Sequence, residues 1–327
     1  MAGRRPGRMP LALAFVLLLA SFGGALLLAP WFVAGVGSGT TQVTVPPGTT
    51  LDAAARRLED ANVVTSAAQF KLLVRLFGTK EPIKAGVYRF RKTANWGDDY
   101  RQMQRAEVVE ARVTIPEGMP AVLVADRLRA VTALAGAVAV PAEGSVLPDT
   151  YSFATGTPRA SALKTMQRAM TETTAKLWAA RTKATVANTP AEAIILASIV
   201  EKETGKAAER RMVAGVYSNR LRQGIKLDAD PTVIYPLTKG RPLGRRIRQS
   251  ELQADNGYNT YVRAGLPAGP IANPGRASIA AVLDPAETKA LYFVADGTGG
   301  HVFADSLAQH NANVSKWFAI RRQRGEM

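Results

Sequence analysis

No charged residue occurs from Met9 to Leu51, and an unbroken apolar stretch runs from Leu11 to Val33. That length matches the ~20 residues a helix needs to cross a bilayer. Beyond it the pattern changes period. Val43 and Val45 alternate with polar residues, as in a strand; Pro46, Pro47 and Gly48 mark a turn; Leu51, Ala54, Ala55, Leu58 and Ala61 recur at helical spacing. A second helix is expected over Ser66 to Phe77, with Phe70, Leu73, Val74 and Phe77 on one face, and a strand over Ala85 to Phe90. Helix is also expected over Ser161 to Arg181 and Ala207 to Arg222. Lys226 to Leu237 looks strand-like. A glycine turn joins strands at Leu291–Ala295 and His301–Phe303, and a helix follows.

The strand-turn-helix pattern occurs twice. VTIPEGMPAVLVADRL (Val113 to Leu128) repeats the order of VTVPPGTTLDAAARRL (Val43 to Leu58). Two copies suggest a compact α+β module rather than a solenoid, which needs three or more. Such modules resemble the LysM type that binds glycan chains; a spacer is the alternative. Gly35 to Thr41, rich in Gly, Ser and Thr, reads as a flexible tether before it.

The run LASIVEKET, Leu196 to Thr204, ends an apolar helix with two carboxylates. Thr189 is placed to cap that helix, Pro190 suits its first position, and Glu192 completes a capping box. Ile199 and Leu196 lie four and seven residues before Glu203, which puts Glu203 near the middle of the apolar face. Glu201 is rotated about 200° from it, alongside Ile194, Ala197 and Ser198. Glu203 is therefore the carboxyl expected to be desolvated, with the raised pKa a general acid needs. A solvated Glu-Lys-Glu helix end is the competing interpretation. Asp228 and Asp230 precede Pro231 without a dense oxygen cluster, which favours turn roles over a metal site. Tyr258, Asn259, Thr260 and Tyr261 are side chains suited to sugar recognition or to an ordered loop.

Composition narrows the chemistry. The chain has no cysteine and two histidines, His301 and His310, so thiol catalysis and multi-histidine metal sites are excluded. The net charge of +16 calls for an anionic partner. Arg4, Arg5 and Arg8 before the apolar stretch place the N-terminus in the cytoplasm by the positive-inside rule. A cleaved signal peptide has a shorter apolar region, so an uncleaved anchor is favoured over residues 11–33. The rest would then lie outside the cytoplasm, away from nucleic acid.

LASIVEKET, NRLRQGIKLDADPTVIY, YNTY, GLPAGPIANPG and LYFVADGTGGHVF together resemble the endolytic murein transglycosylases, the YceG-like (MltG) family; EGSVLPDTY fits as well. Local departures are Pro236 after VIY and Asn256 and Gly257 before YNTY. The resemblance implies an α+β chain: a tail (1–10), an anchor (11–33), a tether (34–42), a LysM-like module (43–140) and a catalytic domain (141–327) built around the central helix. It implies cleavage of the β-1,4 bond between N-acetylmuramic acid and N-acetylglucosamine within peptidoglycan, giving a 1,6-anhydro end without cofactor or metal. Glu203 matches the catalytic position, with Glu201 as fallback. Asn219, Asp230, Thr232, Tyr235, Asn259 and Tyr261 are candidates for lining the cleft. The implied location is the bacterial plasma membrane. Peptidoglycan strands are the expected partner, and synthases of nascent glycan are candidate partners. A membrane-anchored glycan-binding scaffold without catalysis is the competing function.

Overall fold

The computed structural model describes residues 9–326, with side chains from Leu13 onward. Arg4, Arg5 and Arg8 lie outside the described residues. The chain is a mixed α+β protein that divides into two compact units, Met1–Ala111 with Ala154–Gly156, and Arg112–Phe153 with Thr157–Met327.

The first unit opens with α1 (Met9–Phe32), of which Leu13–Phe32 is long and apolar enough to cross a membrane. Strand β1 (Thr40–Val45), helices α2 (Leu51–Asp60) and α3 (Ala67–Phe77), strand β2 (Gly86–Arg91) and helix α4 (Trp96–Arg105) follow. Thr50, Ser66 and Asn95 cap the three helices through their side-chain oxygens. β1 pairs antiparallel with β2, Val43 opposite Tyr88 and Val45 opposite Gly86. Leu58, Phe70, Leu73, Tyr88, Phe90 and Met103 fill the core between the hairpin and the helices.

The end of α1 belongs to this core. Trp31 is only 4% exposed, and its ring lies 5.9 Å from Tyr100 and 6.5 Å from Phe70. Gln69 Nε2 donates to the Leu27 carbonyl at 2.8 Å. The stretch expected to be a slack tether is held at both ends: Gly35 N donates to Ala94 O, and Lys92 N donates to Gly39 O. A side chain at Gly35 would collide with the Lys92 carbonyl. Trp31 is a core residue, its large apolar indole buried among Phe70, Phe77 and Tyr100.

The second unit contains β3 (Glu110–Thr114, which it enters at Arg112), α5 (Ala121–Ala130), β4 (Thr150–Ala154, as far as Phe153) and α6 (Arg159–Ala179). β3 pairs with β4. The second sequence repeat thus falls in this unit, which begins at Arg112. Its apolar residues Val113, Ile115, Val124 and Leu128 pack with Val146, Phe153 and Met166. Gly48 and Gly118, at equivalent places in the two repeats, both adopt left-handed backbone (φ +76° and +71°), which glycine tolerates without cost.

A larger core surrounds α7 (Pro190–Glu203), with α8 (Arg210–Arg222), α9 (Asp230–Thr238) and α11 (Arg276–Leu283) against it; α10 (Gln249–Leu252) is a single turn between them. The segment read as strand-like, Lys226 to Leu237, is irregular as far as Ala229 and helical from Asp230 on, as α9. Pro231 occupies its first turn, where a missing N–H costs nothing. The predicted hairpin is present as β5 (Tyr292–Ala295) and β6 (His301–Ala304), antiparallel, and α12 (Leu307–Gln323) ends the chain.

Trp31→Ala is expected to destabilise the first unit by about 3–5 kcal/mol, the usual cost of emptying a buried aromatic site. Hydrogen exchange of β1 and β2 amides in detergent-solubilised protein would show it. Leu18→Ala, at an exposed position of α1, should leave those amides unchanged. A slack tether would make both variants silent.

Candidate active site

Helix α7 is set by its start. Thr189 Oγ1 accepts from Glu192 N at 3.1 Å, and Glu192 Oε2 reaches back to Asn188 N at 2.7 Å, one residue before the cap. The helix is buried on more than one side: Ala193, Leu196, Ala197, Ser198, Ile199 and Val200 are all sealed. The apolar face inferred from periodicity is therefore too narrow a description. The side carrying Ala197 and Ser198 is buried as well, and Ser198 Oγ accepts from Ile271 N at 3.0 Å.

Both carboxylates at the end of α7 are consequently withdrawn from water, and their partners separate them. Glu201, expected to be the more open of the two, has a side chain only 5% exposed. Its Oε2 accepts from Gly275 N at 2.8 Å, and Arg210 Nη2 lies 3.6 Å from its Oε1. Arg210 also contacts Glu117 at 2.9 Å. Glu201 is thus a charged strut joining the end of α7 to the start of α11.

Glu203 has no cation beside it among the described residues. Its Oε1 is sealed and without a hydrogen-bond partner. Burial raises its pKa from 4.5 to about 7; the negative charge of Asp230 adds to the rise, and a hydrogen bond from the Tyr217 hydroxyl opposes it. Keeping a charge on that carboxyl costs on the order of 3 kcal/mol. A carboxyl of this kind holds a proton at neutral pH and can pass it on.

Glu203 opens onto a cleft of about 580 Å³. Asp230, Tyr261, Tyr292, Phe293 and His310 are among its lining, and the Tyr261 hydroxyl donates to Asp230 Oδ1 at 2.7 Å. Arg220 is anchored rather than free: Nε donates to Leu291 O at 2.8 Å, and Nη1 donates to Lys226 O and Leu227 O at 2.9 Å and to Asp228 Oδ2 at 3.1 Å. These bonds tie β5 to the segment before α9. The Arg220 guanidinium also lies over the Tyr292 ring, and the His310 ring stacks on the same tyrosine at 5.2 Å. Burial and the Arg220 charge lower the His310 pKa, so this ring is neutral at pH 7.

Of the six residues expected to line the cleft, the structure brings Asp230 and Tyr261 to Glu203. The other four have different work. Asn219 donates to Thr288 O and Ala290 O. Thr232 is sealed against Thr260 at 2.9 Å. Asn259 donates to the carbonyls of Glu251, Leu252 and Ala254 and so knots its own loop. Tyr235 packs on Tyr258 at 5.1 Å and hydrogen bonds Glu143, another acid that burial lifts to about 7. Sequence reasoning missed Tyr217, Arg220, Tyr292 and His310. Tyr217 and Arg220 lie on α8, Tyr292 on β5 and His310 on α12, elements brought to the cleft by tertiary packing that no local spacing signals.

Residues 43–316 match the YceG-like family. Over 131 residues, 40% of this chain and 36% of the relative, the sequence is 37% identical to an endolytic murein transglycosylase of Bacillus subtilis. An endolytic murein transglycosylase of Streptococcus pneumoniae (strain D39) is 27% identical over 84% of this chain and 58% of the relative. The chain thus spans between 36% and 58% of the length of these curated relatives. The crystal structure of a YceG-like protein from Listeria monocytogenes superposes with a TM-score of 0.52 at 27% identity, covering 84% of this chain and 99% of that one. With a family match across most of its length and a shared fold, the chain belongs to the YceG-like family.

Proposed function

We propose that this protein is an endolytic peptidoglycan lytic transglycosylase anchored in the bacterial plasma membrane, with Glu203 as its single acid and base. The observation that carries the reading is the Glu203 carboxyl itself: one oxygen sealed and unpartnered, no countercharge beside it among the described residues, a pKa of about 7, and a place in the lining of an aromatic-lined cleft. The names of the relatives supply the substrate class.

In the first half of the reaction Glu203 gives its proton to the glycosidic oxygen as the bond from the muramyl anomeric carbon to that oxygen breaks. In the second half the carboxylate takes the proton of the muramyl C6 hydroxyl, whose oxygen bonds to the anomeric carbon. Glu203 ends protonated, no water is consumed, and the product carries a 1,6-anhydro ring. A hydrolase would commonly place a second carboxylate as base or nucleophile. Asp230, the nearest candidate, already accepts a hydrogen bond from Tyr261, and its charge serves here to keep Glu203 protonated. Tyr261 offers a ring to sugar, while the Tyr292 ring is already packed against Arg220 and His310. In this reading α1 crosses the membrane once with the N-terminus in the cytoplasm. The strand-turn-helix repeats are LysM-like and contact glycan or set reach, and the wall synthases are neighbours. The charge of +16 favours approach to the anionic wall. The scaffold alternative has no use for a sealed, neutral acid.

Purified peptidoglycan digested with the full-length protein should yield anhydromuropeptides. Glu203→Gln should lower that yield at least ~1000-fold, an acid-base contribution at the upper end of the usual range with the single proton carrier removed. Reducing ends in place of anhydro ends would reject the transglycosylase reading, and no products at all would favour the scaffold.

The pH dependence has a defined sign. The acid must be protonated, so kcat/KM should fall as pH rises through about 7. Asp230→Asn removes a charge that raises the Glu203 pKa and should move that limb to lower pH. Tyr217→Phe removes a bond that lowers it and should move the limb higher. The folded-state pKa of Glu203 lies above its unfolded value, so its contribution to stability is present below about 4.5 and is lost as pH rises through about 7. Glu203→Gln should therefore melt higher than the wild type at pH 8, and the difference should shrink at pH 5.

Glu201→Gln is expected to act differently. It weakens the acceptor for Gly275 N and leaves Arg210 less well compensated, so thermal melting should drop markedly, consistent with the about 3–5 kcal/mol that breaking a buried pair costs. Chemistry per folded molecule should survive; loss of product from a folded Glu201→Gln protein would transfer the acid role to Glu201.

A further inference from the structure

Helix α3 has an unusual surface. Its inner face, Phe70, Leu73 and Val74, is buried in the first unit. A helix that faced water on its other side would be polar there. Instead Leu72 is 50% exposed and Leu76 59% exposed, with Phe77 beside them at the helix end. Gln69, Leu72 and Leu76 share one face by their spacing of three and four residues. That face is the one that meets α1, because Gln69 Nε2 bonds the Leu27 carbonyl. At the other end of α3, the Phe77 ring meets the Phe32 ring edge-on at 5.0 Å.

These contacts fix the depth of α3. Leu27 lies five residues before Phe32, about 7.5 Å further along the α1 axis. The 20 residues of Leu13–Phe32 span about 30 Å, the thickness of the hydrocarbon core, with no length to spare. A helix bonded to Leu27 and stacked on Phe32 cannot stand clear of that bilayer. Arg75 and Lys80 are exposed on and just beyond α3, and neither forms an ion pair among the described residues. They are placed to meet lipid phosphates while the leucines enter the acyl boundary.

We propose that α3 lies in the outer interface of the membrane that α1 spans, with Leu72, Leu76 and Phe77 inserted among the lipids and Arg75 and Lys80 at the headgroups. The first unit is then seated on the membrane by two elements instead of hanging from one. The inference rests on the reading of α1 as a transmembrane anchor. It names the lipid bilayer, not a protein, as what covers the exposed leucines.

The absence of cysteine makes the test direct. Single variants Leu72→Cys, Leu76→Cys, Glu59→Cys and Leu18→Cys of the full chain would be spin-labelled and reconstituted in phosphatidylethanolamine–phosphatidylglycerol vesicles. Relaxation by oxygen and by a water-soluble nickel chelate reports depth. All four positions are exposed, so the labels should be tolerated. Labels at 72 and 76 are expected about 5–10 Å below the headgroups, shielded from nickel, while the label at 59 stays in water and the label at 18 lies deep. Labels at 72 and 76 as accessible to nickel as that at 59, with 18 still deep, would overturn the seating of α3 alone. A label at 18 open to nickel would overturn the anchor and the seating with it.

Discussion

The second unit's cleft depends on one electrostatic constraint: a largely buried carboxyl group stands at the end of an apolar helix with no cation beside it among the described residues. Most buried acids avoid this cost by pairing, and Glu201, two residues earlier, does so with Arg210 and the Gly275 amide. The two glutamates divide the labour. One remains charged and fixes the helix end in place. The other has its pKa raised to about 7 by burial and by the charge of Asp230. The cleft cation nearest at hand, Arg220, is committed to four acceptors, so it does not turn toward Glu203 and quench the effect. The packing of α7 among α8, α9 and α11 maintains the low dielectric on which the high pKa depends.

The sequence made part of this legible. The periods of the apolar residues marked α2, α3, α7 and the terminal hairpin, and the phase of α7 singled out Glu203. The same periodicity misjudged Glu201. It detects one apolar face, whereas α7 is covered on more than one, and the residues opposite Ile199 are small (Ala197, Ser198) and score as neutral. Helix α4 passed unnoticed because Trp96, Tyr100 and Met103, though correctly spaced, are interleaved with charge. Helix α9 reads as a strand because its run of Val233, Ile234 and Tyr235 is β-branched and aromatic, which is the composition of a strand.

The cleft residues show the harder limit. Asn259 and Thr232 have the chemistry of sugar-binding side chains, yet the fold uses them to satisfy buried backbone and hydroxyl groups. A polar residue in a loop can be aimed at a ligand or at its own chain, and only coordinates distinguish the two. Tyr217 and Tyr292 illustrate the converse. They read as ordinary core aromatics and lie at the cleft because α8 and β5 pack there.

Trp31 has a consequence for the completeness of the first unit. The indole is covalently part of the apolar helix and physically part of the first unit's core. The core is complete only with the segment carrying Trp31 beside it, and loss of the helix would leave a hole among Phe70, Phe77 and Tyr100.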